Sequence, residues 1–331
     1  NSITAEAQNI DIVFSWNDGE SHLSIIDDGH GMNASELTAA MRLGSRSPLD
    51  KRADFDLGRF GLGLKTASFS QCRSLTVVSR RNSEDGIYAC AWDLDHLQSD
   101  SSNSWSLSIL DPDEIKHCPN AAKLVDHGTI VIWQKLDRLE GDNNPLVGEK
   151  KLNDALAITR RHLEPVFHRY LGGATKRSVK IRLNGHELQA FDPFHQSNPA
   201  TQQLPNEIVR VGQSEIHIQP FVLPHHTKVS KTNYERYAGP GGYRRNQGFY
   251  VYRNQRLIIW GTWFRLASQE ELTKLARVRI DIPNTLDHLW SIDVKKSRAT
   301  PPEIIRARLR QIIDRIRDRG SRVYMQKGAR L

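Results

Sequence analysis

The chain has 331 residues, 38% of them apolar and 25% charged, with no apolar run of membrane-spanning length and no signal-peptide pattern. Those values exclude a membrane-spanning or low-complexity chain and leave room for two globular domains. The net charge of +8 conceals a division: residues 1–150 carry 14 Lys+Arg against 23 Asp+Glu (−9), and residues 151–331 carry 32 against 15 (+17). Either the second half faces a polyanion, or two halves of opposite sign attract each other. Cys72, Cys90 and Cys118 are odd in number and lack Cys-x-x-Cys spacing, the usage of reduced thiols in a cytoplasmic protein.

In chain order, residues 1–8 read as the end of a helix with an Ala-rich face. Residues 9–14 alternate as a strand with Ile10, Ile12 and Phe14 on one face, and Asn17-Asp18-Gly19 turns the chain into a partner strand at 23–26. That strand runs into Asp27-Asp28-Gly29-His30-Gly31-Met32. An apolar strand delivers a carboxylate to its own end, and glycines let the backbone turn beneath a flat ligand. Helix 33–43 follows, with Asn33 as its cap and Glu36 three positions on. Residues 44–57 are polar and punctuated, as in a lid.

Gly58-Arg59-Phe60-Gly61-Leu62-Gly63 then opens a helix at 64–71. Such a turn offers free N–H groups and the positive end of a helix dipole to phosphate. No strand precedes it, as a Rossmann motif requires, and no Gly-Lys-[Ser/Thr] ends it, as a Walker A loop requires. Strands are predicted at 74–79, 86–92, 104–110 and 129–133, with a loop and short helix at 111–126. Strands with helices against them give an α+β sandwich.

The polar stretch 137–149 reads as a boundary between domains 1–140 and 150–331. Beyond it come helix 151–171, a hairpin at 179–184 and 187–191 around Asn184-Gly185, and strands at 215–223, 248–252, 256–260, 277–282 and 291–294. Residues 192–205 and 225–242 read as loops. Thr300, Pro301 and Glu303 start a C-terminal helix. Ile304, Ile305, Leu309, Ile312, Ile313 and Ile316 form its apolar stripe. Arg306, Arg308, Arg310, Arg315, Arg317 and Arg319 crowd its other faces, six arginines in fourteen residues, a pattern suited to phosphate-backbone contact or to simple solvation.

Four motifs stand in order: Asn1, Asp-x-Gly-x-Gly at 27–31, Gly-x-x-Gly-x-Gly at 58–63, and Gly128-Thr129. Together they resemble the GHKL ATPases, which include gyrase B, heat-shock chaperone ATPases, sensor histidine kinases, MutL and MORC proteins. Residues 61–68, Gly-Leu-Gly-Leu-Lys-Thr-Ala-Ser, look most like the MORC-like and MutL-like bacterial branch.

The resemblance implies a Bergerat-fold sandwich, a mixed sheet with helices on one face, followed by a transducer domain with a β-α-β layer like that of ribosomal protein S5. It implies ATP and Mg2+ as ligands. Asn1 would hold the magnesium and Asp27 would accept from adenine's amine. Gly29, Gly31, Met32, Gly58, Gly61, Leu62, Gly63, Leu64 and Lys65 would surround the nucleotide, and Thr129 would reach adenine directly or through water. The family's general base is a glutamate one helical turn before the asparagine, a position outside this sequence. The loop after residue 294 resembles the place from which a transducer cation meets the γ-phosphate, with Lys296 the first candidate and Arg298 the second.

Three functions compete. An ATP-gated clamp would dimerise when nucleotide binds and hold DNA on its basic surface, in DNA repair, restriction or phage defence, with nuclease or helicase partners unidentified. A heat-shock-type chaperone would present an apolar client surface rather than a +17 balance. A histidine-kinase-type domain would carry a phospho-accepting helix and no second sheet.

Overall fold

The structure is a computed structural model and describes residues 1–16, 21–42, 63–99, 106–136, 145–173, 177–287, 289–290 and 301–328. It divides into two compact units. One comprises Asn1–Glu164 and His168–Ala190, the other Pro165–Phe167 and Phe191–Leu331.

The first unit is built on an eight-stranded sheet. Its strands are β1 (Asn9–Ser15), β2 (His22–Asp27), β3 (Ser74–Arg80), β4 (Tyr88–Asp93), β5 (Ser108–Ile109), β6 (Gly128–Gln134), β7 (Lys180–Leu183) and β8 (His186–Glu187). They lie in the order β5-β4-β3-β6-β2-β1-β7-β8. The β1–β7 ladder is parallel and the others are antiparallel. The helices are α1 (Ala34–Met41), α2 (Gly63–Phe69), α3 (Leu94–Ser99), α4 (Pro112–His117), α5 (Pro145–Val166) and α6 (His168–Leu171).

Period-two alternation sorts the strand residues between two faces. On one, Phe14, Leu75, Val77 and Trp92 pack with Leu37 and Met41 of α1, Leu64 and Phe69 of α2, and Leu152 of α5. On the other, Ile26, Val78, Ala89, Ile130 and Ile132 pack with Ile115 of α4 and Leu124. Each such side chain taken fully out of water contributes about 1.5–3 kcal/mol. Cys72 and Cys90 are buried here, and burial pushes the Cys72 thiol up to about 12.

Helix α1 starts where Asn33 and Glu36 predict, with the reciprocal bonds of a capping box. The N-terminus differs from expectation. Residues 1–5 make a single helical turn, closed by Ala5 N–H to Asn1 C=O, and Glu6 then turns left-handed at φ 64°. Glu6 N–H to Ile3 C=O and Ala7 N–H to Ser2 C=O complete a Schellman ending. The expected strands at 86–92 and 104–110 shorten to β4 and to the two residues of β5.

The expected boundary at 137–149 does not coincide with the division between the units. Strand β7 joins the first sheet instead, pairing with β1 from Asn9↔Lys180 to Ile12↔Leu183. Arg182 meets Asp11 at 2.6 Å, and the Asn184 side chain accepts from Phe14 N–H at 2.8 Å. Asn184 and Gly185 form the predicted hairpin turn with φ 46° and 78°, but the returning strand is only β8.

The second unit has its own sheet, in the order β10-β11-β14-β12-β13 with β9 beside β11. The strands are β9 (Gln202–Gln203), β10 (Glu207–Val211), β11 (Ser214–Val222), β12 (Gly248–Arg253), β13 (Arg256–Thr262) and β14 (Ala276–Ile282). One face packs Ile216, Ile218, Phe249, Val251, Val278 and Ile280 against the C-terminal helix α9 (Glu303–Gly328). That helix contributes Ile305, Leu309, Ile312, Ile313 and Ile316, whereas Ile304 is 62% exposed and lies off the predicted stripe. The other face holds Phe194, Phe221, Tyr250, Tyr252 and Leu257. The expected loop 225–242 contains helix α7 (Lys231–Ala238) and opens α8 (Gly242–Arg245), and β10 was not predicted. The expected strand 291–294 lies outside the described residues. Among those described, no helix is long and apolar enough to cross a membrane.

Candidate functional site

Strand β2 carries Asp27 to its C-terminal end, where the carboxylate is 8% exposed. Its register mates are Ile10 on β1 and Thr129 on β6, and Thr129 is in turn matched by Ser79 on β3. Directly opposed residues of antiparallel strands share a face. Asp27, Thr129 and Ser79 therefore form one polar row across three adjacent strands, at the end of the apolar face that α1 and α2 cover.

The row is hydrogen-bonded throughout. Asp27 Oδ2 accepts from the Ser2 hydroxyl at 2.7 Å and Oδ1 from Gly29 N–H at 3.1 Å. Ser79 Oγ lies 2.9 Å from Thr129 Oγ1, accepts from Met32 N–H at 2.9 Å and donates to Gly128 C=O at 2.9 Å. Burial raises the Asp27 carboxyl above its ordinary value, against the opposing pull of the Ser2 and Gly29 bonds. An ionised carboxylate has about four acceptor positions, so two remain for a ligand amine.

Asp28 does a different task. It accepts from Gln8 N–H, Asn9 N–H and Asn9 Nδ2, each at 2.8 Å, and so ties the N-terminal turn to the end of β2. Burial acts to raise its carboxyl, but these bonds outweigh it and hold the group below the usual carboxylate range.

The glycines answer to the protein's own backbone. A Cβ on Gly31, which has φ 56°, would stand 1.8 Å from the Arg80 carbonyl oxygen, and one on Gly29 would stand 2.8 Å from that of Ala5. Gly128, with φ 132°, admits the Asp27 carbonyl at 2.1 Å from where a Cβ would lie. Only glycine allows β2, β3 and β6 to close this tightly around the row.

The other predicted residues are spread more widely. Asn1 is exposed on the N-terminal turn that also presents Ser2. Met32 and Leu64 pack against the core, and Gly63 opens α2. Lys65 is 2% exposed, and its Nζ donates to Ala40 C=O at 2.7 Å and Arg42 C=O at 2.6 Å. A cation there satisfies carbonyls left over at the end of α1 and meets the negative end of its dipole. Burial lowers its pKa. Gly58, Gly61, Leu62, Lys296 and Arg298 lie outside the described residues.

On α9, Arg308 and Arg315 both reach the buried Glu207, Arg317 meets Glu270 at 2.8 Å, and Arg306 meets Glu303 at 3.1 Å. Arg310 is exposed, and the side chain of Arg319 lies outside the described set. Four of the six arginines therefore have acidic partners within their own unit.

Sequence reasoning missed Ser2, Asp28 and Ser79. For Ser79 the one available signal was a hydroxyl following Val77 and Val78, at a register only pairing reveals.

Residues 1–129 match the family described as "Histidine kinase-, DNA gyrase B-, and HSP90-like ATPase", a stretch that takes in Asp27, Ser79 and Thr129. No curated protein matches the chain. The mixed eight-stranded sheet, the polar row at the end of β2 and the matching stretch agree, and residues 1–129 are similar to a GHKL-type ATPase domain.

Proposed function

We propose that the chain is an ATP-hydrolysing, dimerising switch of the MORC-like and MutL-like kind that engages DNA through its basic second unit. The observation that carries the nucleotide part is Asp27, a nearly buried carboxylate with two acceptor positions fixed internally and Thr129 beside it. A buried acceptor is matched to adenine's exocyclic amine, and the hydroxyl row extends that polar edge.

Asn1 offers a hard amide oxygen from the turn that Asp28 fixes in place. Among the described residues no group of three or more His, Cys, Asp or Glu side chains converges on a metal site. Magnesium held by Asn1 would thus draw its other ligands from phosphate and water, as that ion prefers, and would neutralise phosphate charge. In this reading Lys296, with Arg298 next, is the candidate cation for the γ-phosphate, as the family resemblance implies. Lys65 would have to leave the α1 carbonyls to join them.

The polyanion part rests on charge. Counted over the compact units, the first carries 22 Lys+Arg against 26 Asp+Glu and the second 24 against 12. A cytoplasmic setting suits three cysteines that form no disulfide.

The test is steady-state ATP hydrolysis with and without long duplex DNA, alongside calorimetry with ATP and ADP. Magnesium-dependent turnover that DNA alters supports the reading. Nucleotide binding with no turnover and no retention of DNA at low salt would reduce it to a nucleotide-binding domain.

A further inference from the structure

Segment 225–245 of the second unit combines exposed cations with a ladder of rings. His225 and His226 lie 3.9 Å apart between centroids, His226 meets Tyr234 edge-on at 6.0 Å, and Tyr234 rests on Tyr243 at 4.4 Å. Tyr243 is 7% exposed and anchors the ladder, with the Arg277 guanidinium 6.0 Å from its ring. Outward from it, Tyr234 is half-buried and His226 is exposed.

The turn between α7 and α8 is held in shape. Asn246 Nδ2 lies 2.7, 2.9 and 3.0 Å from the carbonyl oxygens of Ala238, Pro240 and Gly242. Gly239, Gly241 and Gly242 all take positive φ there. Gln247, fully buried, donates to Arg244 C=O and Glu270 C=O and accepts from Trp263 Nε1, which fixes the end of α8.

The cations here differ from those of α9. Lys228, Arg236, Arg244 and Arg245 are exposed, and among the described residues none has a carboxylate within ion-pairing distance. Lys231 has only Glu235 at 4.0 Å. Unneutralised guanidinium and ammonium groups flanking the exposed His226 ring and the half-buried Tyr234 favour a phosphate backbone with unpaired bases, because every base has a face to stack and a duplex hides it.

We propose that this α7–α8 elbow, not the arginine face of α9, is the nucleic-acid surface, and that it takes single strands by stacking on His226 and Tyr234. The proposal rests on the polyanion reading of the second unit and specifies both its place and its ligand. The elbow's own shape persists without ligand, since Asn246 and Gln247 hold it.

Fluorescence anisotropy of the full chain, with a labelled oligothymidine of about 16 nucleotides and a duplex of equal length, tests it. The single strand should bind more tightly than the duplex. His226→Ala and Tyr234→Leu should each weaken single-strand binding on the order of tenfold. The Arg244→Ala/Arg245→Ala pair should lower the slope of log affinity against log salt by about 1.4, since each lost single-strand phosphate contact removes about 0.7. Arg310→Ala should change nothing. If Tyr234→Leu lowers the melting temperature, His226→Ala and the arginine pair, all at exposed positions, decide the matter. DNA binding that ignores every elbow variant overturns this proposal and leaves the polyanion reading standing. Retention of neither strand form at low salt overturns both.

Discussion

At Asp27 the carboxyl is held between a burial that favours its neutral form and the proposed task of accepting from adenine, which needs its charge. Its pKa is raised from 3.8, so the folded chain binds this proton more tightly than the unfolded chain. The unliganded protein should therefore lose stability as pH rises from the ordinary carboxylate value through the raised one. ATP affinity, which needs the ionised acceptor, should increase over the same interval. Calorimetry and melting curves across mildly acid pH should show the two trends opposed. In Asp27→Asn, ATP binding should be lost, since a buried donor facing adenine's amine costs about 1–3 kcal/mol or more. Unchanged affinity would disprove the assignment.

Asp28 runs the other way. Its lowered carboxyl contributes stability above the unfolded value of 3.8, and that contribution goes as pH falls through the folded one. Asp28→Ala leaves the amides of Gln8 and Asn9 without their acceptor and should cost about 1–3 kcal/mol in chemical denaturation. Of these neighbours, Asp27 was legible because a strand followed by Asp-x-Gly-x-Gly is a pattern. Ser2 and Ser79 were not, because a lone hydroxyl acquires meaning only when folding brings an acceptor or a strand mate to it.

Among the elements, legibility followed local chemistry. Helix α1 was readable from its Asn33 and Glu36 cap, and the hairpin of β12 and β13 from alternation around Asn254, which adopts φ 48° at the turn. Helix α7 was hidden: Lys-Thr-Asn-Tyr-Glu-Arg-Tyr-Ala buries no residue fully, and glycines and a proline follow it. Strand β10 was missed because Ile208 points outward at 51% exposure and breaks the expected alternation. What holds β10 to α9 is Glu207, whose side chain is 8% exposed, which accepts from Arg315 and is ion-paired with Arg308. Those arginines are about half exposed, so solvent screens part of the attraction. Glu207→Gln should lower stability by about 1–2 kcal/mol, read as a shift in the denaturant midpoint at unchanged slope. No shift would mean that the apolar stripe alone fixes the helix.

For the whole molecule, the order of strands along the chain matters as much as their pattern. The polar stretch 137–149 looked like a boundary because composition changes there, yet the first sheet takes its edge strands from residues 180–187. No local signal in Lys180–Leu183 says which sheet it will join. The pairing of Asp11 with Arg182 and of Phe14 with Asn184 settles it, across about one domain length of sequence. A fragment of residues 1–190 should therefore melt cooperatively and stay monomeric, whereas residues 1–149 should self-associate through the bared edge of β1. Light scattering distinguishes the two, and a monomeric shorter fragment would show the edge to be dispensable.

The parallel ladder of β1 and β7 also has a consequence in time. Strand β1 ends at Ser15, and its outer neighbour begins at Lys180. At synthesis rates of about 5–20 residues per second, roughly 10–30 s separate the emergence of the two. Through that interval the outer edge of β1 presents unpaired amides to whatever is nearby. A chaperone or a neighbouring nascent chain can occupy it before its own partner has been made.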